Sequence, residues 1–179
     1  MQTLLRRRFI KFGVLATAAG VAPRLARAVT EKTERRLAFY STHTGEKLDV
    51  VYRIGDDYVP ESLAQVDRVL RDHRTDEVCA IDLRLLDLLH TLSSSLQARG
   101  PFHVISGYRS PLTNAALSSH GDGVAKHSLH IEGKAIDIRL PGLDLPQLRA
   151  AAVALRGGGV GYYSRSDFVH VDIGRVRYW

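Results

Sequence analysis

The sequence predicts an α+β domain in which helices pack on an antiparallel sheet. Three observations carry that expectation. Leu85, Leu88, Leu89, Leu92 and Leu96 recur at three-to-four spacing, the apolar stripe of an amphipathic helix. Short β-type stretches cluster late in the chain, at residues 134–140, 160–163, 168–173 and 176–179. Helical segments come first and strands gather towards the end, which favours segregated layers over a parallel βαβ array.

Taken in order, residues 29–36 are charged and read as a loose N-terminal arm, so the folded domain is expected to span residues 37–179. Leu37–Ser41 and Lys47–Arg53 read as two strands flanking His43-Thr44-Gly45, a hairpin. Gly55-Asp56-Asp57 breaks the pattern. Pro60-Glu61 can open a helix, proline suiting the first helical position, and Leu63, Val66, Val69 and Leu70 form its stripe. The leucine helix follows and is expected to stop at Gly100-Pro101. A strand at Phe102–Ile105 leads to the loop Ser106-Gly107-Tyr108-Arg109. Ser110-Pro111 then reads as the N-cap and first turn of a short helix to about Leu117, and residues 118–126 as an exposed loop. Residues 134–140 read as a strand, Leu145–Leu155 as a helix, and Gly157-Gly158-Gly159 as a break before the closing β-structure. No internal repeat is present.

The N-terminus reads as targeting, not fold. Arg6-Arg7-Arg8-Phe9-Ile10-Lys11 is a charged region followed by an apolar run to Ala22, and Ala26-Arg27-Ala28 offers a cleavage site before Val29. The run is short of the ~20 apolar residues of a bilayer span. Two arginines followed by x-Phe-Ile-Lys resemble the twin-arginine export signal, so residues 1–28 are expected to be a signal peptide and the mature protein periplasmic. An ordinary secretory signal or an uncleaved anchor is the alternative. Six of the 25 basic residues lie in this leader, which has no acid, leaving 19 bases against 19 acids in the mature part. The basic excess therefore belongs to the leader, and a nucleic-acid partner loses its electrostatic support. Cys79 is the single cysteine, which excludes an intrachain disulfide; its apolar neighbours suggest a small buried side chain.

The chemistry concentrates in Ser128-Leu129-His130-Ile131-Glu132-Gly133-Lys134-Ala135-Ile136-Asp137. On a strand, Ala135 and Asp137 share one face while Ile136 and Ile138 share the other. A very small residue beside a carboxylate leaves room for an ion, and Gly133 permits the turn that returns His130 over that face. In Phe168-Val169-His170-Val171-Asp172 the same alternation pairs His170 with Asp172. Two imidazoles and one carboxylate make a three-ligand set for one Zn²⁺ with an open position, as catalytic zinc requires. A structural zinc would close with four ligands and favour cysteine, of which there is one, far from the cluster.

Ser128-x-His130-x-x-Gly133-x-Ala135-x-Asp137 with the later His170 resembles the pattern of the D-Ala-D-Ala metallopeptidase/LAS group. Ser106-Gly107-Tyr108-Arg109-Ser110, Asn114 and the ending Phe168–Arg177 look like its murein endopeptidase K branch. The resemblance spans nearly all of residues 37–179. It implies a Hedgehog/D-Ala-D-Ala-peptidase-like fold, one zinc ion held by His130, Asp137 and His170, and hydrolysis of peptidoglycan cross-links, with diaminopimelate-containing bridges as the substrate. Arg109 is similar in position to the group's oxyanion-stabilising arginine; its structural alternative is a salt bridge that fixes the loop. The group's acid three residues before the last histidine corresponds to Asp167, which requires a bend in the strand. Asp172 is on the favourable face and is either the base or the acceptor that orients an imidazole; Asp167 is preferred as base. Glu132 reads as a solvated loop residue, and His120 and His127 as exposed loop polarity. Tyr108, Tyr162 and Tyr163 line a groove or pack at core and rim. Two other functions fit the same residues: a carboxypeptidase releasing D-Ala from stem peptides, and a non-catalytic zinc-bearing cell-wall binding module.

Overall fold

In the computed structural model, residues 33–119 and 127–179 are described. The chain divides into two units at Glu31/Lys32, and all of the described residues belong to the second. The expected leader and cleavage site, and His120 with most of its loop, lie outside the described residues.

Eight strands form one sheet: β1 (Glu34–Ser41), β2 (Lys47–Ile54), β3 (Asp57–Tyr58), β4 (Phe102–Ser106), β5 (Ala135–Arg139), β6 (Gly159–Tyr163), β7 (Phe168–Asp172) and β8 (Arg177–Tyr178). Their order is β3-β2-β1-β4-β5-β7-β6-β8. The helices are α1 (Pro60–Val69), α2 (Leu83–Ser95), α3 (Pro111–Ser119) and α4 (Leu145–Leu155), with a 3₁₀ turn at Leu129–Glu132. The α+β expectation holds, but the sheet is mixed: β1 runs parallel to β4 and β6 parallel to β8. From β2 the chain passes through β3, α1 and α2 before entering β4, which lets β4 run parallel to β1. Among the described residues, no helix is long and apolar enough to cross a membrane.

The expected arm ends sooner than the sequence indicates. Glu34 and Arg35 already pair with Ile54 and Arg53 of β2. Arg35 also reaches Asp87 on α2, at 2.9 Å, which Arg53, Tyr52 and Tyr58 engage as well. Charge at Glu34–Arg36 thus marks a strand edge tied to a helix, not a loose segment. Helix α2 stops before Gly100-Pro101. Gln97 takes a left-handed φ of 49°, while Gln97 N–H donates to the Ser94 carbonyl and Ala98 N–H to that of Ser93. Those are the paired bonds of a Schellman cap, closed here by a residue other than glycine. Helix α3 continues to Ser119, two residues past the expected end; its N-cap, Ser110, accepts from Thr113 N–H at 3.2 Å.

Alternation then sorts the sheet into two faces. Leu37, Phe39, Phe102, Val104, Ile136, Ile138, Val169 and Val171 turn to one side, where the leucines of α2, Val66 and Val69 of α1 and Leu148 of α4 complete the core. The opposite face of β5 and β7 carries Asp137, His170 and Asp172. A packed apolar layer therefore stands directly behind the polar cluster and fixes the strands that present it.

Candidate metal centre

Asp137 and His170 are cross-strand partners on β5 and β7, so sheet register sets them side by side. His130 arrives from the 3₁₀ turn, whose C-cap Gly133 has φ 65°. A Cβ there would collide with the Ala80 carbonyl, so both the conformation and the close approach require glycine. All three side chains are buried. His130 Nε2 and His170 Nδ1 are 3.2 Å apart; Asp137 Oδ1 lies 2.9 Å from His170 Nδ1 and 3.2 Å from His130 Nε2. Ligands of a tetrahedral zinc at 2.0–2.1 Å are about 3.3 Å from one another, so the spacing suits a first-row ion.

The second nitrogens decide which lone pairs face inward. His130 Nδ1–H donates to the Gly107 carbonyl at 2.7 Å, leaving Nε2 as an acceptor. His170 Nε2–H donates to Asp172 Oδ2 at 3.0 Å, leaving Nδ1 likewise. With those outer bonds made by neutral imidazoles, two lone pairs and a carboxylate oxygen converge, an arrangement suited to a cation. Without a metal, a proton on His170 takes that place. Burial opposes a charged His170, yet Asp137 and Asp172 outweigh it and raise its pKa to about 8. For Asp137, burial is outweighed by the two imidazoles, and its carboxyl titrates well below the usual range.

Around this triad the remaining groups are held tightly. Arg109, itself buried, places Nη2 at 3.2 Å from Asp137 Oδ2 and 3.4 Å from Ser106 Oγ. One carboxylate oxygen of Asp137 therefore faces the imidazoles and the other faces a guanidinium. The Arg109 backbone N–H donates to the His130 carbonyl, joining the arginine loop to the histidine turn. Its Nε is buried without a partner among the described residues. Asp172 is fully buried and accepts from His170, from Gly159 and Gly174 N–H, and from both Arg177 nitrogens at 3.1 and 2.7 Å. The triad opens into a cleft of about 920 Å³ lined by Arg74, Arg165, Tyr163, Phe168 and Trp179 among others.

With that geometry in view, comparison with known proteins is decisive. The family described as peptidoglycan L,D-endopeptidase MepK matches residues 29–179. The chain belongs to this family. It is 40% identical over 175 residues to the peptidoglycan L,D-endopeptidase MepK of Escherichia coli (strain K12), covering 97% of this chain and 96% of that protein. It is 38% identical over 176 residues to a probable peptidoglycan L,D-endopeptidase MepK of Haemophilus influenzae, covering 97% and 95%. No solved structure matches.

Within this MepK-family chain the three expected metal ligands meet, and Arg109 joins them through the salt bridge anticipated as its structural alternative. Asp172 is spoken for: five donors occupy its oxygens, so it orients His170 and has no lone pair left to take a proton from water. Asp167 is not brought into the cluster. The bend it needs is present, as a left-handed φ of 54°, but its carboxylate is exposed and pairs with Arg139 at 2.8 Å. Its neighbours Ser166 and Phe168 both line the cleft, so its backbone belongs to the wall while its side chain turns away. Glu132 is exposed and bound to Lys134, as expected of a loop residue. His127 lines the cleft. Of the tyrosines, Tyr163 lines the cleft, Tyr108 packs against the core, and Tyr162 lies under Arg149. Cys79 is half-buried in the loop before α2, not in the core, because the segment 76–82 forms no element that would turn it inward.

Two functional residues escaped sequence reasoning. Arg177 holds Asp172, and Trp179 places its ring 5.3 Å from that of His170, with Nε1–H donating to Tyr163 Oη at 2.9 Å. The available signal was the alternation of Arg175, Arg177 and Trp179 after a buried acid. Without knowledge that β8 runs parallel beside β6, nothing directed those side chains to the site.

Proposed function

We propose that this chain is a zinc-dependent L,D-endopeptidase that hydrolyses peptide cross-links of peptidoglycan, as its relatives are named, with bridges containing diaminopimelate as substrate. The observation that carries the reading is the convergence of three acceptors whose outer atoms are already committed, His130 to Gly107 and His170 to Asp172. This donor set, two imidazoles and a carboxylate, is that of a catalytic zinc, not a structural one. Bound there, zinc supplies a Lewis acid and lowers the pKa of water to about 7. The chain's own residues do the rest. Arg109 is the positive group available to a developing oxyanion, and the Asp137 contact holds it in place. Asp172 fixes the His170 tautomer. Tyr163, Phe168 and Trp179 give the substrate an apolar wall.

Asp167 is the proposed general base. Its pair with Arg139 is solvent-exposed on both sides and so contributes about 1 kcal/mol or less, a small cost for turning the carboxylate to the cleft. Replacing Asp167 with Asn is expected to lower kcat by about 10²- to 10⁴-fold with the metal retained; wild-type turnover in that variant would move the role to another cleft group such as His127. The Hedgehog/D-Ala-D-Ala-peptidase-like fold and export to the periplasm on the twin-arginine signal of residues 1–28 belong to the same proposal. Incubating the mature protein with purified cross-linked muropeptides, before and after chelation and zinc return, tests it. Product masses that halve the bridge only with metal support an endopeptidase. Release of a terminal D-Ala, or no cleavage by the zinc-loaded protein, would overturn it.

A further inference from the structure

The mature chain carries as many acids as bases, yet the cleft does not share that balance. Its lining includes Arg74, Arg109, Arg165 and Arg177 against one acid, Asp137. Arg109 is neutralised by Asp137, and Arg177 by the buried Asp172. Arg74 and Arg165 have no side-chain partner among the described residues, and both are exposed. Exposed arginines outside the cleft are of both kinds: Arg36 has Asp49 and Arg84 has Asp82, whereas Arg99, Arg156 and Arg175 have no acid partner among the described residues. What sets Arg74 and Arg165 apart is that both line the cleft.

Their placement adds to the charge. Asp72 accepts from Ser110 N–H at 2.8 Å, which packs the loop bearing Arg74 beside the end of β4 from which Arg109 extends. Arg165 lies in the turn between β6 and β7, at the other end of the strands, where the pair of Arg139 and Asp167 ties that turn to the end of β5. Asp137 and His170 sit between, in mid-strand on β5 and β7, with His130 brought to them by the 3₁₀ turn. At the first of these ends His73 is pushed down to about 4, by burial first and then by His43 and Arg74, with Asp72 opposing and Arg109 adding to the shift.

Resting on the endopeptidase reading above, we propose that Arg74 and Arg165 are the substrate-binding residues that select a doubly acidic bridge, one guanidinium taking a free carboxylate on each side of the scissile amide. A bridge joining two diamino diacid residues presents such a carboxylate on both sides, and guanidinium is the side chain whose fork matches it. Neutral or amidated bridges lose both contacts, so the same pair sets specificity against them.

The test uses the zinc-loaded mature protein with Arg74→Gln, Arg165→Gln, the double variant, and Arg36→Gln as a charge control remote from the cleft. Substrates are synthetic bridged peptides with the flanking carboxylates free or amidated. Each cleft variant is expected to raise KM for the free-acid bridge about fivefold, and the pair about twenty-fivefold, with kcat within about twofold. The preference for free acid over amide should fall in step. Zinc content and Tm should match wild type, and Arg36→Gln should leave KM unchanged. Trp179 is the sole tryptophan and lines the cleft, so its fluorescence reports binding without turnover. If wild type cuts no bridge but binds the free acid in an arginine-dependent way, the assignment stands and the endopeptidase reading falls. If wild type cuts while both variants keep its KM and its acid preference, the assignment is overturned and the reading survives. Absence of both cleavage and binding overturns the two together.

Discussion

Replacing Asp172 with Asn tests the centre most sharply, because the substitution changes almost no volume and inverts one hydrogen-bonding role. Every group around this carboxylate is a donor: His170 Nε2–H, two backbone N–H groups and two Arg177 nitrogens. An amide brings two further N–H donors into that shell, so whichever way it turns, donor meets donor. Facing His170, it removes the acceptor that holds the proton on Nε2, and the imidazole gains by moving it to Nδ1, the atom that faces Asp137 and His130. Loss of such an outer partner weakens metal binding by about 10- to 100-fold, or about 1.4–2.7 kcal/mol. The unpaired donors cost stability as well, about 1–3 kcal/mol for a buried group left unsatisfied. Competition for zinc against a chelator of known affinity, with thermal unfolding of the metal-free protein alongside, separates the two effects. Wild-type zinc affinity in Asp172→Asn would refute the assignment of His170 Nδ1 as a ligand fixed by Asp172.

Three other outcomes follow from particular contacts. Arg109→Ala is expected to lower kcat on the order of 10²-fold while zinc stays bound, since its side chain makes no hydrogen bond to the imidazoles of His130 and His170 and its backbone bond to His130 is kept; loss of the metal together with activity would make its salt bridge with Asp137 its main task. In Gly161→Ala the added methyl would stand 2.7–2.8 Å from the Trp179 indole, so the ring must move, at about 1–3 kcal/mol, and the fluorescence of Trp179 should shift; an unchanged spectrum and Tm would show that β8 is not docked as described. Burial pushes the Asp72 carboxyl up, but hydrogen bonds from Thr113, Arg74 and Ser110 outweigh it and hold it well below the usual range. Its stabilisation is thus complete above the unfolded carboxyl's pKa of about 4 and is lost as pH falls towards the folded value. Asp72→Asn should therefore cost about 2 kcal/mol at neutral pH and much less near pH 2, read as a narrowing difference in Tm; a constant gap would refute the ionic origin.

Where local pattern and burial agree, the fold is legible in the sequence. Helix α4 runs over Leu145–Leu155 as the sequence indicates, because a proline at its start and a glycine run after its end bracket one amphipathic stretch. The failures fall where a distant partner overrides local character. Glu34–Arg36 is polar enough to pass for an arm until Asp87 on α2 supplies the acid for Arg35. Helix α2 ends at a left-handed glutamine well before the glycine and proline that seem to stop it. Parallel pairing of β1 with β4 depends on a crossing through two helices, which no alternation pattern encodes.

The site divides along the same line. His130, Gly133, Ala135 and Asp137 lie within eight residues of one another, so spacing alone relates them, and His170 enters through one strand pairing. Arg177, which closes the Phe168–Arg177 ending, and Trp179 reach the same centre through the β6–β8 register, a relation that spacing within that ending does not give. Asp167 shows the opposite case: its backbone bend is where the sequence requires it, but its side chain is exposed, and Arg139 captures the carboxylate. Sequence thus constrains backbone placement more strongly than the direction of an exposed side chain. A buried residue such as Asp172, enclosed by five donors, has one orientation, and an exposed one on a cleft wall has several of nearly equal energy. That difference suits the tasks proposed here, since a group that orients a metal ligand must not move, while a group that takes up and returns a proton must.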